Sequence, residues 1–508
     1  MGRRNEVATL TAAVGVAGAV VGPPPASPSP EVTGDSDAGT AVQSLVDGAR
    51  GMESKDPLTA AAWYRAMLGL LTVVPEPQGL RRELLLALAR ATARAGELGE
   101  CRDVVALRRE LADDDTADLR AWLARMAGRY TEARSILRTA IRRRPHDDAA
   151  SPRDAAALRL ALAETTIWDV GWRWSEAALE AAVSAGDPVL RADALAVHAI
   201  VCLAHGEVEA AGQSVRQAAE LADAHLDTAL AVRPALLAHL GWAATHLGQH
   251  TQALRHFTRG LAICHATGQA ADAVAMLAGL SAVRLRLGES AEALHWADRA
   301  ARLAEIVESD DLRAMALVQR AEAGLAAGDT VRALADSRLA ATLSGPDSPW
   351  WRLSWVTWGA ARLASGEPGA SAAVIDAAGD RLTELPAWAR PHTAGLLART
   401  ERGARGKRWA EVSRRYAGLL RPPDADGAAR EPYRLSQREF EIATLVSEGR
   451  TNRQIARRLT VSHKTVETHL ARIFAKVEVS SRAELAGLVG GARIVARPRR
   501  SARSSRRE

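Results

Sequence analysis

The chain has 508 residues, of which 47% are hydrophobic and 25% charged, and its formal net charge is +6. This length exceeds one ordinary hydrophobic core, so at least two structural units are expected. The composition is typical of a folded soluble protein and excludes a chain that is disordered throughout. Alanine and leucine dominate and runs of β-branched residues are scarce, which predicts an all-α fold.

Residues 1–40 differ from the rest of the chain. Leu10–Gly22 is an apolar run too short to span a bilayer, and Pro23–Pro30 cannot continue a helix. The run is similar to the apolar core of a secretory signal, but Glu6 interrupts the basic end that such a signal carries. We predict a disordered leader over residues 1–40 and no membrane span, with a secretory signal as the alternative.

Residues 41–420 contain helical patterns punctuated by glycines at intervals of 38 to 42 residues. These glycines are Gly206, Gly248, Gly288, Gly328 and Gly366. A small residue follows each one five positions later: Ala211, Ala253, Ala293, Ala333 and Ser371. Gly128 with Ala133, and Gly96 with Cys101, are earlier copies. The spacing is typical of helix-pair repeats, in which the glycine permits the turn and the small residue allows close helix packing. We predict a helical-repeat solenoid over residues 41–420.

Two segments, Ala121–Pro145 and Leu236–Ile263, resemble tetratricopeptide units, although the period near 40 is longer than is usual for that repeat. A solenoid has a concave surface and no chemistry of its own, so a protein, peptide or small-molecule effector is its expected ligand. Four tryptophans late in the array either line an effector pocket or pack in the core, and core packing is favoured. They are Trp350, Trp351, Trp355 and Trp358.

The chain lacks patterns that would indicate catalysis, a cofactor or a metal. Cys101, Cys202 and Cys264 form no CxxC pair. No carboxylate-rich set accompanies the four histidines His246, His250, His256 and His265, so no metal site is predicted. The phosphate-binding pattern GxxxxGK[ST] is absent, and no Ser/His/Asp or paired-carboxylate constellation stands out. We therefore predict no catalytic residues, no cofactor and no enzymatic activity.

Residues 421–432 are rich in Pro, Gly and Asp and are predicted to be a linker. Beyond it, Leu435–Leu485 is expected to form short helices separated by tight turns. The expected helix caps are Ser436, in a capping box with Glu439, then Thr451 and Ser462. Gly449 is expected to end the first helix, and a fourth helix is expected to start near Ser480. The expected inward residues of the first three helices are Ile442, Leu445, Val446, Ile455, Ala456, Leu459, Val466, Leu470, Ile473, Phe474 and Val477.

The charge of the chain is concentrated in this C-terminal part. From Arg430 onward, 18 Lys and Arg face 8 Asp and Glu, a net charge of +10, whereas the preceding residues carry 48 basic and 52 acidic side chains. A short turn between two helices, the second with a polar outer face, suits the major groove of DNA. Periodicity alone equally allows an ordinary helical hairpin with a solvated face.

The same stretch resembles the LuxR-type helix-turn-helix domain, for which we predict residues 433–491 and four helices. The residues that carry the resemblance are Leu435, Arg438, Glu439, Glu441, Ile442, Leu445, Val446, Gly449, Asn452, Ile455, Ala456, Leu459, Ser462, Thr465, Val466, His469, Ile473, Lys476, Val479 and Arg482. The pattern departs from the family at Ala443, Arg450, Glu467 and Glu478. Helical repeats before such a domain are similar to the large maltose-regulator-like activators, but without their ATP-binding module; Gly2–Leu10 is similar to the opening of those proteins.

The resemblance implies double-stranded DNA as a partner. The positions that match base-facing ones are Glu467, Thr468 and Ala471. The candidates for backbone contacts are Arg457, Arg458, His463, Lys464, Thr465, His469, Arg472 and Lys476. Family members generally bind DNA as dimers through the fourth helix, where Leu485, Leu488 and Val489 are the candidates, although core packing explains them equally well. Residues 492–508 are predicted to be a basic disordered tail that adds nonspecific affinity.

The sequence thus predicts a cytoplasmic bacterial transcriptional regulator, in the favoured interpretation an activator. It would bind DNA as a homodimer, contact RNA polymerase if it activates, and sense an effector through its repeats. The alternative is a repeat-based interaction scaffold whose C-terminal domain binds a protein partner and no DNA.

Overall fold

The protein is described by a computed structural model. The described residues are 46–71, 79–106, 111, 116–143, 151–167, 171–366, 382, 385–400, 404–419, 433–435, 437–447, 450–459, 461–477, 485 and 494–496. The predicted leader and the predicted linker lie outside these residues. The chain forms two compact units, Met1–Arg421 and Pro422–Glu508, of which the first contains the repeats.

The first unit, called the repeat unit below, consists of helices that follow one another in antiparallel pairs. Up to residue 230 they are α1 (Pro57–Leu70), α2 (Leu80–Ala95), α3 (Leu98–Ala106), α4 (Ala117–Met126), α5 (Tyr130–Arg143), α6 (Pro152–Thr165), α7 (Gly171–Ser184), α8 (Pro188–His205), α9 (Val208–Asp223) and α10 (Asp227–Leu230). The remaining helices of the unit are α11 (Ala235–His246), α12 (His250–Thr267), α13 (Ala270–Arg286), α14 (Ser290–Val307), α15 (Asp310–Ala327), α16 (Thr330–Leu343), α17 (Pro349–Ala364), α18 (Arg390–Thr400) and α19 (Ala404–Leu419).

The repeat glycines lie at turns and the repeat alanines lie between packed helices, as the sequence predicts. The five glycines from Gly206 to Gly366 at the predicted turns have φ between +71° and +91°, a conformation that L side chains rarely adopt. The alanines five positions later, from Ala211 to Ala333, are fully buried between paired helices. Ser371 lies outside the described residues. The prediction of an all-α fold with tetratricopeptide-like repeats is confirmed.

One large side chain fixes the packing of three neighbouring helices. Phe257 on α12 is fully buried and inserts between Gly241 on α11 and Gly279 on α13. A Cβ atom on Gly279 would lie 2.2 Å from the Phe257 ring, and one on Gly241 would lie 2.5 Å from it. Both positions therefore require glycine because the ring occupies the space of a side chain.

The repeat unit curves until distant repeats touch. Ser309, the N-cap of α15, donates a hydrogen bond of 2.8 Å to the Met126 carbonyl, 183 positions earlier. The Tyr130 hydroxyl donates to the Asp311 carboxylate at 2.9 Å. The amide of Ala387 donates to the Ala204 carbonyl at 2.9 Å. These bonds close the inner side of the superhelix.

Among the described helices, α8 has the length and hydropathy of a possible membrane span. In the structure, 72% of that span is buried within the repeat unit. This burial is the property of a core helix, and the apolar character of α8 is explained by its neighbours α7, α9 and α11.

The second unit is a small helical domain. Its elements are β1 (Tyr433–Leu435), α20 (Gln437–Ser447), α21 (Asn452–Leu459), α22 (His463–Val477) and β2 (Ile494–Ala496). Most of the residues predicted to face inward are buried in its core. Leu459 and Phe474 are partly buried against that core. The side chain of Val477 lies outside the described residues. Leu485 is also fully buried in this core, which supports the core interpretation of that residue over a dimer contact. Leu488 and Val489 lie outside the described residues.

The sequence does not predict the two short strands. β1 and β2 pair in parallel, with Tyr433 opposite Ile494 and Leu435 opposite Ala496. Residues 494–496 belong to the segment for which we predict a disordered tail, so for these three residues the expectation differs from the structure. The physical reason is local, because Ile494 and Val495 are β-branched residues that suit a strand. The domain boundaries themselves remain predictions.

We expect Gly279→Ala to destabilise the repeat unit by roughly 1–3 kcal/mol, because the new methyl group overlaps the buried Phe257 ring. The control is Gly69→Ala near the end of α1, where no atom lies within 4 Å of the added Cβ. That change is expected to stabilise by about 0.5–1 kcal/mol. Urea unfolding of the full chain, followed by circular dichroism, measures both effects. Equal stability of the two variants would contradict the packing described.

Candidate functional site

The two helices of the predicted DNA-binding motif are each held at their N-terminal end by a side chain. The Thr451 amide donates to the Gln454 side-chain oxygen at 2.8 Å, and the Gln454 amide donates back to the Thr451 hydroxyl at 3.4 Å. The Thr465 amide donates to the Ser462 hydroxyl at 3.0 Å. The caps predicted at Thr451 and Ser462 are confirmed, whereas Ser436 and Gly449 lie outside the described residues.

Helix α22 has one buried face and one exposed face. Val466, Leu470 and Ile473 are buried. At about 100° per residue, the exposed residues on the opposite side form one surface, which we call the outer face of α22. It consists of Lys464, Glu467, Thr468, Ala471 and Arg472. All three predicted base-facing residues therefore lie on one surface.

The other predicted contact residues differ in exposure. Arg457 and Arg458 are exposed at the end of α21, and His463 is exposed at the start of α22. Thr465 and His469 are only half-exposed on the side of the helix, and the Thr465 hydroxyl is 2.8 Å from that of Ser462. These two side chains are directed less toward the outer face than the sequence prediction assumes.

Two polar contacts modify the outer face. The His463 Nδ1 atom lies 3.4 Å from a Glu467 carboxylate oxygen, one helical turn away. The Thr468 hydroxyl donates to the Lys464 carbonyl at 3.0 Å. The i,i+4 spacing of His463 and Glu467 was visible in the sequence, and it is the signal that could have revealed their contact.

Lys476 has a structural contact that sequence reasoning missed. Its ammonium group lies 2.5 Å from the carboxylate of Glu439, which is buried on α20. Arg438 on the same helix donates to the Leu459 carbonyl at 2.7 Å and so ties α20 to the end of α21. No local pattern predicts the Lys476 contact, because its partner lies 37 positions earlier.

Comparison with known families identifies this unit. Residues 433–489 match the family described as bacterial regulatory proteins, luxR family. These residues form a luxR-family domain. The resemblance predicted from the sequence is therefore confirmed for the C-terminal unit, and known transcriptional regulators share this part of the chain.

Two relatives illustrate the extent of the likeness. The transcriptional regulatory protein LiaR of Bacillus subtilis (strain 168) is 44% identical over 52 residues, 10% of this chain and 25% of LiaR. The monoamine regulon transcriptional regulator of Klebsiella aerogenes is 52% identical over 54 residues, 11% of this chain and 24% of that protein. The chain thus spans about a quarter of the length of these relatives.

The repeat unit has likenesses among solved structures. A Rap protein complexed with competence and sporulation factor is 13% identical, with a TM-score of 0.43, over 75% of this chain and 96% of that one. At this level of similarity, nothing about ligand binding follows for the present chain.

The inner helices of the repeat unit surround a cavity of about 970 Å³, which we call the central cavity. Side chains from α4, α11, α13, α15, α17 and α18 line it. Its apolar and aromatic lining includes Trp122, Trp242, Met315, Trp350 and Trp388. The other late tryptophans, Trp351, Trp355 and Trp358, instead form a ladder of edge-to-face rings at 6.3 and 5.1 Å. Trp350 lines the cavity and also packs against the hydrophobic core, so the predicted core role suits it, whereas the three ladder tryptophans are half-buried.

One end of the cavity, called the floor, is lined by the charged groups Arg125, Glu164, His239, Asp272 and Asp311. Asp193 and Arg233 extend this network beyond the lining. Asp193 is fully buried and contacts Arg233 at 3.0 Å and His239 at 2.7 Å. Burial alone would raise the pKa of Asp193, but these two partners outweigh burial and lower it. Arg125 pairs with Glu164 at 3.4 Å. Possible metal-ligand atoms of Glu164, Asp193 and His239, two carboxylate oxygens and a ring nitrogen, lie within 4.8 Å of one another. Each of the three groups already has an ion-pair partner.

Asp272 on α13 is the exception in this network. Within the described part of the chain it has no hydrogen bond and no ion pair, although it lines the floor. Burial raises the pKa of its carboxyl group to about 6, with Arg125 and His239 opposing that shift. A carboxylate that lacks a direct partner in a partly desolvated position costs folding free energy.

We expect Asp272→Asn to stabilise the protein at neutral pH by about 1–3 kcal/mol. The ordinary pKa is 3.8 and the folded value is about 6, so the folded state binds the proton more tightly. The stability that this group contributes is fully present below about pH 3.8 and is lost as the pH rises through about 6. The gain from the substitution should therefore be present at pH 8 and shrink toward pH 4. Thermal unfolding of the full chain across this range tests it.

Asp310→Asn provides the matched control, because Asp310 is an exposed acid in the first turn of the neighbouring helix α15. Its stability relative to the unmodified chain should change little between pH 4 and pH 8. A pH profile for Asp272→Asn that runs parallel to that of the unmodified protein would contradict the burial of the Asp272 carboxylate.

Proposed function

We propose that this protein is a sequence-specific DNA-binding transcriptional regulator, in which the luxR-family domain binds DNA and the repeat unit senses an effector. The observation that supports DNA binding best is the outer face of α22. It is exposed, it lies opposite a buried core, and its cations outnumber its single carboxylate. An α-helix of this kind fits the major groove, and a cationic surface is attracted to phosphates.

In this proposal Glu467, Thr468 and Ala471 read base edges. The Glu467 carboxylate accepts from a cytosine amino group, and Ala471 contacts a thymine methyl group. The Thr468 hydroxyl already donates its proton to the helix backbone. Its methyl group and hydroxyl oxygen remain for a base, which suits thymine contact or acceptance from a donor.

The backbone contacts are assigned to the cations around this face. Arg472 and Lys464 flank the base-reading residues, and Arg457 and Arg458 extend the basic surface onto α21. His463, Thr465 and His469 remain candidates at the side of the helix. Lys476 is the weakest of the set, because its ammonium group already neutralises Glu439. Contacts of this kind position the protein without specifying sequence.

The further parts of the proposal concern the whole chain. The regulator acts in the cytoplasm, binds DNA as a homodimer and, as an activator, contacts RNA polymerase. It has no catalytic role. The proposed division is into repeats over 41–420 and a DNA-binding domain over 433–491. The central cavity, which lies within the repeats, supports effector binding, because concave sites of several hundred Å³ with an apolar middle and polar groups at defined places are typical ligand sites.

The alternative function is a scaffold whose C-terminal domain binds a protein partner. The exposed and half-exposed basic groups around α21 and α22 favour DNA over that alternative. An acidic protein partner would use the same surface, so the salt dependence of DNA binding and its sequence preference separate the two.

We expect Arg472→Ala to weaken binding to a nonspecific duplex and to reduce the slope of log K against log salt by about 1, because one phosphate contact is lost. Fluorescence anisotropy of the full chain with a labelled duplex at several salt concentrations measures the slope. Arg415→Ala removes an exposed arginine from the repeat unit and should leave the slope unchanged. An unchanged slope for Arg472→Ala would contradict its assignment to a phosphate.

We expect Glu467→Ala to change sequence preference more than general affinity. The carboxylate either accepts from one base or repels the backbone, and its removal eliminates both effects. Selection of bound duplexes from a random pool by the full chain should return a different consensus at one position. Recovery of the same consensus by variant and unmodified protein would contradict base reading by Glu467.

A further inference from the structure

We propose that the occupant of the central cavity is a short linear peptide of about six residues with free termini, its amino terminus at Asp272 and its carboxylate at Arg286. This inference rests on the proposed function, because it identifies the effector that the repeat unit binds. Its basis is the placement of two opposite charges at the two ends of one cavity-lining helix.

Helix α13 sets the length of the occupant. Asp272 lies in its first turn and Arg286 in its last turn, and both line the cavity. Fourteen residues of helix correspond to about 21 Å. Between them the helix presents the small side chains of Ala275 and Ala282 to the cavity. An extended peptide of about six residues spans the same distance at roughly 3.3–3.6 Å per residue.

The floor favours a cation. Three carboxylates line it, those of Glu164, Asp272 and Asp311, and a fourth, Asp193, lies within 4.8 Å of Glu164. Arg125 pairs with Glu164, Arg233 and His239 pair with Asp193, and Tyr130 donates to Asp311. Of these four carboxylates, Asp272 alone lacks a hydrogen-bond or ion-pair partner within the described residues. An ammonium group would supply the ion pair and the hydrogen bonds that this carboxylate lacks.

The opposite end, called the mouth, favours an anion. Arg286 and Arg399 line it and are exposed. Within the described residues, neither forms an ion pair, and Glu322 is the nearby acid whose charge Arg286 faces. His246 adds no charge, because burial lowers its pKa to about 3. A carboxylate at the mouth would meet two guanidinium groups that bind such anions well.

The middle of the cavity suits apolar side chains. The His246 ring stacks on the Trp388 ring with centroids 4.3 Å apart. The centroid of the Trp242 ring lies 6.1 Å from that of His246. Met315 on α15 and Trp350 on α17 also line the cavity. A peptide of this length can contact both charged ends of the cavity. A small zwitterion such as a single amino acid can reach only one end. The cavity volume of about 970 Å³ also suits an occupant at the upper end of drug-like size.

The test uses the immobilised full chain and an equimolar pool of random hexapeptides with free termini. Two further pools have the same sequences but carry an N-terminal acetyl group or a C-terminal amide. Retained peptides are quantified by mass spectrometry. We expect the free pool to yield retained peptides, and each blocked pool to lose about tenfold or more of that retention, because one charge-assisted contact is removed.

Variants locate the two ends. Asp272→Asn should abolish the preference for a free amino terminus, and Arg286→Gln the preference for a free carboxylate. The matched controls are Asp310→Asn on α15 and Arg302→Gln on α14, both exposed and neither lining the cavity. They should bind like the unmodified protein. Asp272→Asn is expected to be more stable than the unmodified chain, so loss of binding by it cannot be ascribed to unfolding.

Equal retention of the free and blocked pools would overturn the proposal and indicate an uncharged apolar occupant. No retention of any pool would overturn it as well and would leave a smaller molecule or a protein partner. DNA binding is measured separately with and without a retained peptide. If a peptide binds with the expected polarity but DNA affinity is unchanged, the cavity assignment stands and effector control fails; absence of DNA binding would contradict only the proposed function.

Discussion

The repeat unit depends on the close approach of paired helices. From α8 to α16, each pair turns at a glycine with positive φ and then buries an alanine between its two helices. A larger residue at the alanine would separate the helices, and every later pair would be displaced in turn. Because this spacing repeats, the inner helices stay side by side along the superhelix. Their remaining faces are left to line the central cavity.

Local features of this architecture could be predicted from the sequence, whereas distant contacts could not. The repeat glycines, the buried alanines and the caps at Thr451 and Ser462 all follow from residue type and short spacing. The bond from Ser309 to Met126 joins residues 183 positions apart, and no periodic pattern relates them. The cavity could not be predicted for the same reason, because its lining comes from helices throughout the unit. In the luxR-family domain, the outer face of α22 was predictable from helical periodicity, but the contact of Lys476 with Glu439 was not.

The charged groups in the cavity are difficult to explain by stability alone. Apolar residues of similar size at Asp272 would avoid the cost of desolvating a carboxylate. The ion pairs of Asp193 and Glu164 satisfy two carboxylates near the cavity, and Asp272 and Glu322 depart from that rule within the described residues. A group that breaks this rule within a cavity is the usual signature of a functional site, because binding restores the missing interaction.

Coupling between such a site and DNA binding has an energetic condition. A ligand shifts an equilibrium only by the difference in its affinity for the two states. A tenfold change in DNA affinity therefore requires about 1.4 kcal/mol of differential binding. The floor of the cavity is well placed to provide such a difference, because it joins repeats that lie far apart in sequence. Ser309 and Tyr130 already form hydrogen bonds between these distant repeats, and an occupant that contacts Asp272 would add a further contact there. Binding would then favour the closed superhelix over any state in which these repeats separate.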